Sequence, residues 1–143
     1  MKKGILIVVG AVIAFLLIRL FIIIVILLTT PEGETHRKGL ITGHKGDWEA
    51  AIVHFDEVIS LNPHHDKAYR TRAFAKTQLG DYQGAIQDSK IAIAKYPFYG
   101  ESYAVLGIAE IQSGQGKNGC KNLETALDLG YEKAKDCINK CCN

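Results

Sequence analysis

Apolar and polar residues follow two different patterns along this chain. From Ile5 to Leu28 the residues are apolar almost without interruption. Beyond position 31, apolar residues recur at the spacing of one helix face, and Gly-Asp pairs or prolines separate the stretches. This second pattern predicts helices over residues 33–44, 48–61, 66–79, 82–95, 100–113, 117–129 and 131–141.

The apolar run is long enough to cross a membrane, because about 20 apolar residues span a bilayer core. All of its positions hold Leu, Ile, Val or Phe except Gly10, Ala11, Ala14 and Arg19. Each strongly apolar residue contributes about −0.3 to −0.6 kcal/mol to insertion, and together they outweigh one central arginine at about +2.5 to +3.5 kcal/mol. We therefore predict an uncleaved transmembrane signal anchor over residues 1–31, with membrane contact through residues 5–28.

A cleaved signal peptide is the alternative interpretation of this segment, with Lys2 and Lys3 as its charged start. The run is longer than the usual apolar region of such a peptide, about 7–15 residues, and no small-x-small cleavage site follows it. The basic residues nearest the run favour an N-terminus inside the cell, which places the rest of the chain on the extracytoplasmic side. We therefore predict a single-pass membrane protein.

A constant period runs through the remainder of the chain. The pairs Gly46-Asp47, Gly80-Asp81 and Gly114-Gln115 are equally spaced, and the same offset carries Ala51-Ile52 onto Ala85-Ile86 and Pro63 onto Pro97. Glycine suits the left-handed backbone that follows a helix end, and proline prevents a helix from continuing. Several markers in register at one spacing indicate a tandem repeat of helical pairs.

At these positions the chain resembles the tetratricopeptide repeat family, whose period is about 34 residues. Tyr69 and Tyr103 fall at the first aromatic position, and Leu106-Gly107 supplies the Leu-Gly pair. The third unit departs from the family pattern, because Gly119 replaces an alanine of the second helix and Gly130-Tyr131 replaces the proline. The resemblance implies an all-α fold: a three-repeat α-solenoid domain over residues 32–143, with repeats at about 32–65, 66–99 and 100–130 and a capping helix at 131–143.

In this family the first helix of each repeat lines an inner groove that receives peptides. The resemblance therefore implies a protein or peptide partner, held by the groove residues His36, Leu40, Lys67, Arg70, Phe74, Thr77, Glu101, Ile108 and Ile111. One subgroup of the family binds acidic chaperone tails through a clamp of lysine, asparagine and arginine side chains. The clamp positions hold His36, Leu40, Thr71, Glu101 and Val105 here, so we do not expect that ligand.

All four cysteines lie at position 120 or beyond. Antiparallel packing of the last two predicted helices would bring Cys120 beside Cys142 or Cys141, while Cys137 falls on an apolar stripe. The closing segment GYEKAKDCINKCCN also resembles that of small membrane-anchored or exported bacterial repeat proteins. We predict a Cys120–Cys142 disulfide, which closes a loop of about 20 residues and contributes roughly 3 kcal/mol; four reduced thiols are the alternative.

The charge balance and the absence of certain motifs exclude several classes of function. Residues 31–143 carry fourteen Lys or Arg and fifteen Asp or Glu, so they offer no electrostatic footprint for nucleic acid. The sequence has no glycine-rich phosphate loop, no Gly-x-Ser-x-Gly, no His-Glu-x-x-His and no Cys-x-x-Cys. We therefore expect no enzyme activity, no metal, no cofactor and no nucleic acid partner.

Together these patterns predict a membrane-anchored protein-interaction module or scaffold. Two alternatives stay open. One is a structural subunit of a membrane complex that acts through its transmembrane helix and Arg19. The other is a secreted soluble repeat protein, which requires cleavage of the N-terminal segment.

Overall fold

The computed structural model describes residues 2–28 and 30–142, and it describes the side chains of residues 12–25 and 30–142. Over these residues the chain forms eight α-helices. They are α1 (Lys2–Leu28), α2 (Pro31–His44), α3 (Trp48–Leu61), α4 (Asp66–Gln78), α5 (Tyr82–Lys95), α6 (Gly100–Gln112), α7 (Gly116–Asp128) and α8 (Ala134–Cys141). Helices α2 to α7 begin and end close to their predicted bounds.

Helices α2 to α8 pack in sequence order. Three pairs form, α2 with α3, α4 with α5 and α6 with α7, and each pair packs on the next through α3–α4 and α5–α6 contacts. The first helices of the pairs also touch directly, because α4 contacts both α2 and α6. The arrangement is an all-α helical repeat solenoid, in which α2, α4 and α6 form one wall.

Glycine and aspartate set the turns inside the pairs. Gly46, Gly80 and Gly114 follow the ends of α2, α4 and α6 with φ values of +82° to +88°, a left-handed conformation that costs glycine little. The Asp47 and Asp81 carboxylates then accept hydrogen bonds from the backbone N–H groups of Ala50 and Gly84, at 3.1 and 2.9 Å. These bonds satisfy orphan donors at the starts of α3 and α5.

The last helix begins later than predicted. The sequence pattern placed its start at residue 131, but residues 131–133 form a turn, and α8 starts at Ala134. Gly130 is left-handed, with a φ of +85°, and the N–H of Ala134 donates to the carbonyl of Tyr131 at 3.0 Å. The turn leaves the Tyr131 side chain free to pack against the cluster that α6, α7 and α8 share.

Small side chains bring the paired helices close together. Buried alanines occur in every pair, among them Ala51, Ala73, Ala85, Ala92, Ala104, Ala109 and Ala126. Helices α6 and α7 approach each other closely at two glycines, and a Cβ built on Gly107 would stand 2.6 Å from the carbonyl oxygen of Gly119. A Cβ built on Gly119 would stand 2.5 Å from the carbonyl oxygen of Gly107. At this point the two helix backbones are in direct contact.

One arginine connects neighbouring repeats. Arg72 of α4 donates through Nε and Nη2 to the Asp88 carboxylate of α5, at 2.8 and 2.6 Å, and through Nη1 to Asp56 of α3. The Lys76 ammonium lies 2.8 Å from the same Asp88 carboxylate. Burial alone would lower the pKa of Arg72, but the hydrogen bonds to the two carboxylates raise it overall. A charged network therefore joins α3, α4 and α5.

Helix α1 precedes the solenoid. On it, the Arg19 guanidinium lies 5.2 Å from the centre of the Phe15 ring, one helical turn away. Among the residues whose side chains are described, no helix is both long enough and apolar enough to cross a membrane. The predicted span covers residues 5–28, and the side chains of residues 5–11 and 26–28 lie outside the described ones. The membrane anchor therefore stays a prediction.

Candidate functional site

A cavity of about 420 Å³ opens along the wall that α2, α4 and α6 form. Its lining comprises Gly39, Leu40, Gly43, His44, Trp48, Phe55, Arg70, Thr71, Phe74, Glu101, Val105, Tyr131 and Lys133. Leu40 and Phe74 stay well exposed there, at 38% and 43% of their full area. We call this cavity the groove. Its volume falls within the range of ligand pockets in proteins, about 300–1,000 Å³.

Two glycines on α2 leave space for aromatic rings of α3 to reach the groove. A Cβ on Gly39 would stand 2.6 Å from the Phe55 ring, and one on Gly43 would stand 2.8 Å from the Trp48 ring. Any larger residue at either position would collide with these rings of α3. The Trp48 ring in turn meets the Phe74 ring edge-on, with centroids 5.6 Å apart, so the floor of the groove is aromatic.

An ion pair occupies the centre of the groove. Arg70 of α4 is buried, and its guanidinium donates to the carboxylate of Glu101 on α6. The same guanidinium lies 4.7 Å from the centre of the Tyr99 ring, within the range of a cation–π contact. Among the described residues its Nε is buried without a hydrogen-bond partner. The pair places both charges at the centre of the groove and itself carries no net charge.

His36 stands beside the groove rather than in it. Its Nε2 lies 3.2 Å from the Thr71 hydroxyl oxygen, and its ring is 5.2 Å from that of His65. Burial, and next the neighbouring charge of His65, lowers the pKa of His36 from 6.5 to about 4. The ring is therefore neutral at pH 7 and adds no positive charge to this region.

The structure brings together four of the nine residues predicted for the groove. Leu40, Arg70, Phe74 and Glu101 line it. The remaining five, His36, Lys67, Thr77, Ile108 and Ile111, are not part of its lining. The Thr77 hydroxyl donates to the carbonyl of Ala73 in its own helix, at 2.9 Å.

Ile108 and Ile111 were predicted to line the groove with apolar side chains. In the structure each side chain is partly buried outside the groove. Both pack against the cluster of α6, α7 and α8 that contains Ala104, Leu123 and Ala134. Helix α8 packs on α6 and α7, and this cap covers the surface that a fourth repeat would otherwise meet. The groove therefore ends at Glu101 and Val105 and does not continue along α6.

Several lining residues were not predicted from the sequence. Trp48 and Phe55 belong to a second helix, and Tyr131 and Lys133 belong to the turn before α8. Gly39 and Gly43 could have indicated these residues, because each glycine in a helix interior costs about 1 kcal/mol of helix stability relative to alanine. Such a cost indicates a close approach by another element.

The cysteines lie at the far end of the solenoid from α2. A disulfide joins Cys120 of α7 to Cys142, which directly follows α8, with the Cα atoms 5.7 Å apart. Cys141 is a free, exposed thiol, and Cys137 is a half-buried one. Burial raises the pKa of Cys137, so this thiol stays protonated at neutral pH. The disulfide ties the cap to the third helical pair.

Comparisons with known proteins agree with this architecture. Tetratricopeptide repeat protein 36 of Danio rerio is 33% identical over 102 residues, which cover 68% of this chain and 54% of that protein. Small glutamine-rich tetratricopeptide repeat-containing protein 2 of Saccharomyces cerevisiae is 29% identical over 94 residues, 66% of this chain and 27% of that protein. The chain thus spans about half, or less, of the length of these curated relatives. It matches no family model.

A solved structure shares the fold. The first tetratricopeptide domain of Spaghetti (RPAP3), bound to the HSP90 peptide SRMEEVD, superposes with a TM-score of 0.73 at 21% identity, covering 78% of this chain and 90% of that one. The relatives' names and the shared fold support the tetratricopeptide repeat family. They do not confirm the small membrane-anchored or exported bacterial type that the closing segment indicated, since both relatives named are eukaryotic.

Proposed function

We propose that this chain is a protein-interaction module that binds a partner segment in the groove, without a catalytic step of its own. The observation that carries the proposal is the groove itself: Leu40 and Phe74 remain exposed beside the Trp48 ring in a cavity of about 420 Å³. Exposed apolar side chains in a concave, mostly preformed site favour binding of a bulky apolar group. Peptide binding by the RPAP3 domain of the same fold supports this use of the groove.

The chemistry of the lining indicates which segment fits. Arg70 is already paired with Glu101, and His36 is neutral at pH 7 because its pKa is lowered to about 4. The cation at the centre of the groove is therefore already paired, and Lys133 contributes its charge only from the turn before α8. We propose that the ligand is an extended or helical segment with bulky apolar side chains, which would displace water from Leu40, Trp48 and Phe74.

Site-specific photo-crosslinking tests this proposal. A photoreactive phenylalanine analogue placed at position 74 lies in the groove, whereas the same analogue at position 53 lies on an exposed part of α3 that does not line it. We expect position 74 to capture a discrete partner and position 53 to capture none above background. A partner captured equally well at position 53, or at position 53 alone, would place the contact surface outside the groove.

We also propose that residues 5–28 hold the module in a membrane, with the repeats on the extracytoplasmic side. The support is the sequence, in which all but four of these positions hold Leu, Ile, Val or Phe, and the Cys120–Cys142 disulfide, because disulfides persist in oxidising compartments. Such an anchor would raise the local concentration of the groove near membrane partners.

Alkaline carbonate extraction of membranes tests the anchor. We expect the full chain to remain in the membrane pellet, because its apolar segment is buried in lipid rather than held by surface charge. A variant that lacks residues 1–30 is the control and is expected in the supernatant. Release of the full chain into the supernatant would show that residues 5–28 do not span the bilayer.

A further inference from the structure

One end of the solenoid exposes an unusual number of large apolar side chains. They are Leu61, Tyr96, Phe98, Tyr99 and Leu129, and each lies at the end of α3, α5 or α7 or in the loop that follows. Phe98 is 74% exposed, the most of any large apolar side chain that the structure describes. Of the turns at the opposite end, residues 45–47, 79–81 and 113–115, the described side chains include one exposed large apolar residue, Leu79. The apolar surface therefore concentrates at one end, which we call the loop end.

Ring contacts join the loops of this end to the first helices of the pairs. The His65 ring lies 5.2 Å from His36 of α2, and the Tyr99 ring lies beneath the Arg70 guanidinium of α4. Tyr96 and Tyr99 have ring centroids 6.1 Å apart. Farther along, Phe98 and its neighbours to residue 101 form a cleft of about 360 Å³ with residues 129–131.

The chain enters the solenoid at this same end. Helix α2 begins at Pro31, and the last residue of α1 is Leu28. Three Cα–Cα steps span at most about 11 Å, so the end of the apolar segment stays within that distance of the first turn of α2. Because α2, α4 and α6 run in the same direction, the loops before α4, α6 and α8 lie beside that first turn.

We infer that the loop end rests on the lipid surface into which residues 5–28 insert. This inference depends on the membrane anchor proposed above. Tyrosine rings suit the boundary between headgroups and acyl chains, where an apolar body and a polar tip are both solvated. Phenylalanine and leucine side chains at the same depth are buried against the acyl chains. The basic residues Lys67, Lys95 and Lys133 of this end are matched in number by the acidic residues Glu32, Asp66 and Glu132, so the attraction is apolar and does not need anionic lipid.

Tryptophan fluorescence in vesicles tests the inference. The full chain is reconstituted in phosphatidylcholine vesicles that contain a lipid brominated close to the headgroup, which quenches nearby tryptophan. The wild-type chain, with Trp48 as its one tryptophan, gives the baseline. Phe98→Trp adds a tryptophan at the loop end, and Leu79→Trp adds one at the opposite end. We expect the emission added by Phe98→Trp to be blue-shifted and to lose a larger fraction to the brominated lipid than the emission added by Leu79→Trp.

Three results would overturn the inference. The first is equal quenching of the two added tryptophans. The second is a Phe98→Trp emission that neither brominated lipid nor aqueous iodide quenches, which would mean that a second copy of the chain or another protein covers this end. The third is quenching that appears only when phosphatidylserine is added. Alkaline carbonate extraction of the same vesicles reports the anchor separately, so a failed anchor and a failed contact are distinguishable.

Discussion

Replacing Asp88 by alanine is expected to lower the free energy of unfolding by about 3 kcal/mol, because removing one partner of a buried ion pair leaves an uncompensated charge. The Asp88 side chain is 4% exposed and serves two cations, Arg72 and Lys76. Neither cation can reach water freely, since their side chains are 17% and 21% exposed. Urea unfolding of the full chain in detergent, followed by helix content, measures the change.

Asp56→Ala is the matched control. Asp56 pairs with the same arginine, but its side chain is 54% exposed, and an exposed pair is worth about 0–1 kcal/mol. We therefore expect the two alanine variants to differ by severalfold in their loss of stability. Equal losses would show that burial of the Asp88 carboxylate does not decide the strength of the network.

Gly119→Ala is expected to lower the free energy of unfolding by about 1–3 kcal/mol, the usual cost of overpacking. The new Cβ would lie 2.5 Å from the carbonyl oxygen of Gly107 and 2.6 Å from Cγ1 of Ile111. Because the first of these atoms belongs to the backbone, α6 and α7 would have to move apart. Helix propensity alone predicts the opposite sign, a gain of about 0.5–1 kcal/mol for glycine to alanine.

Gly116→Ala supplies the comparison on the same helix. A Cβ on Gly116 meets no heavy atom within 4 Å, so this variant is expected to be as stable as the wild type or slightly more stable. The same urea unfolding experiment reports both changes. If Gly119→Ala were neutral or stabilising, the close contact between the backbones of α6 and α7 would be wrong.

The repeat architecture could be predicted because its determinants are local. Gly46, Gly80 and Gly114 adopt the left-handed backbone that their spacing suggested, and such a conformation depends on one residue rather than on distant partners. The aspartates after the first two glycines cap the next helices through bonds to residues within the same turn. Turn glycines and capping aspartates of this kind can be recognised in a single sequence.

The charged network and the end of the groove could not be predicted in the same way. Arg72 and Asp88 lie on different helices, and charged residues on a helix are usually solvated, so nothing in the sequence distinguishes this pair. Ile108 occupies the position equivalent to Phe74, one repeat later. Its partial burial depends on the cap α8, whose packing only the folded chain reveals.

The role of a histidine between the first two repeats could not be predicted from the sequence either. His64 and His65 follow Pro63 in the loop between the first two repeats, and polar residues in loops are usually solvated. In the structure the Nδ1 atom of His65 accepts a hydrogen bond from the backbone N–H of Ala68 at 3.0 Å and so caps α4. The His65 ring also lies against the His36 ring, with centroids 5.2 Å apart and ring planes tilted by 38°. His36 belongs to α2, two helices before the helix that His65 caps, so no local pattern in the sequence reveals this contact.

Affinity measurements test whether the partner binds in the groove. Once crosslinking has identified the partner segment, titration of that segment into the full chain compares Leu40→Ala with Phe74→Ala in one variant against Val53→Ala as the control. Val53 is 65% exposed and does not line the groove. We predict at least about a tenfold weaker Kd for the double variant, about 1.4 kcal/mol, and an unchanged Kd for Val53→Ala. An unchanged Kd for the double variant, with its helix content intact, would contradict binding in the groove.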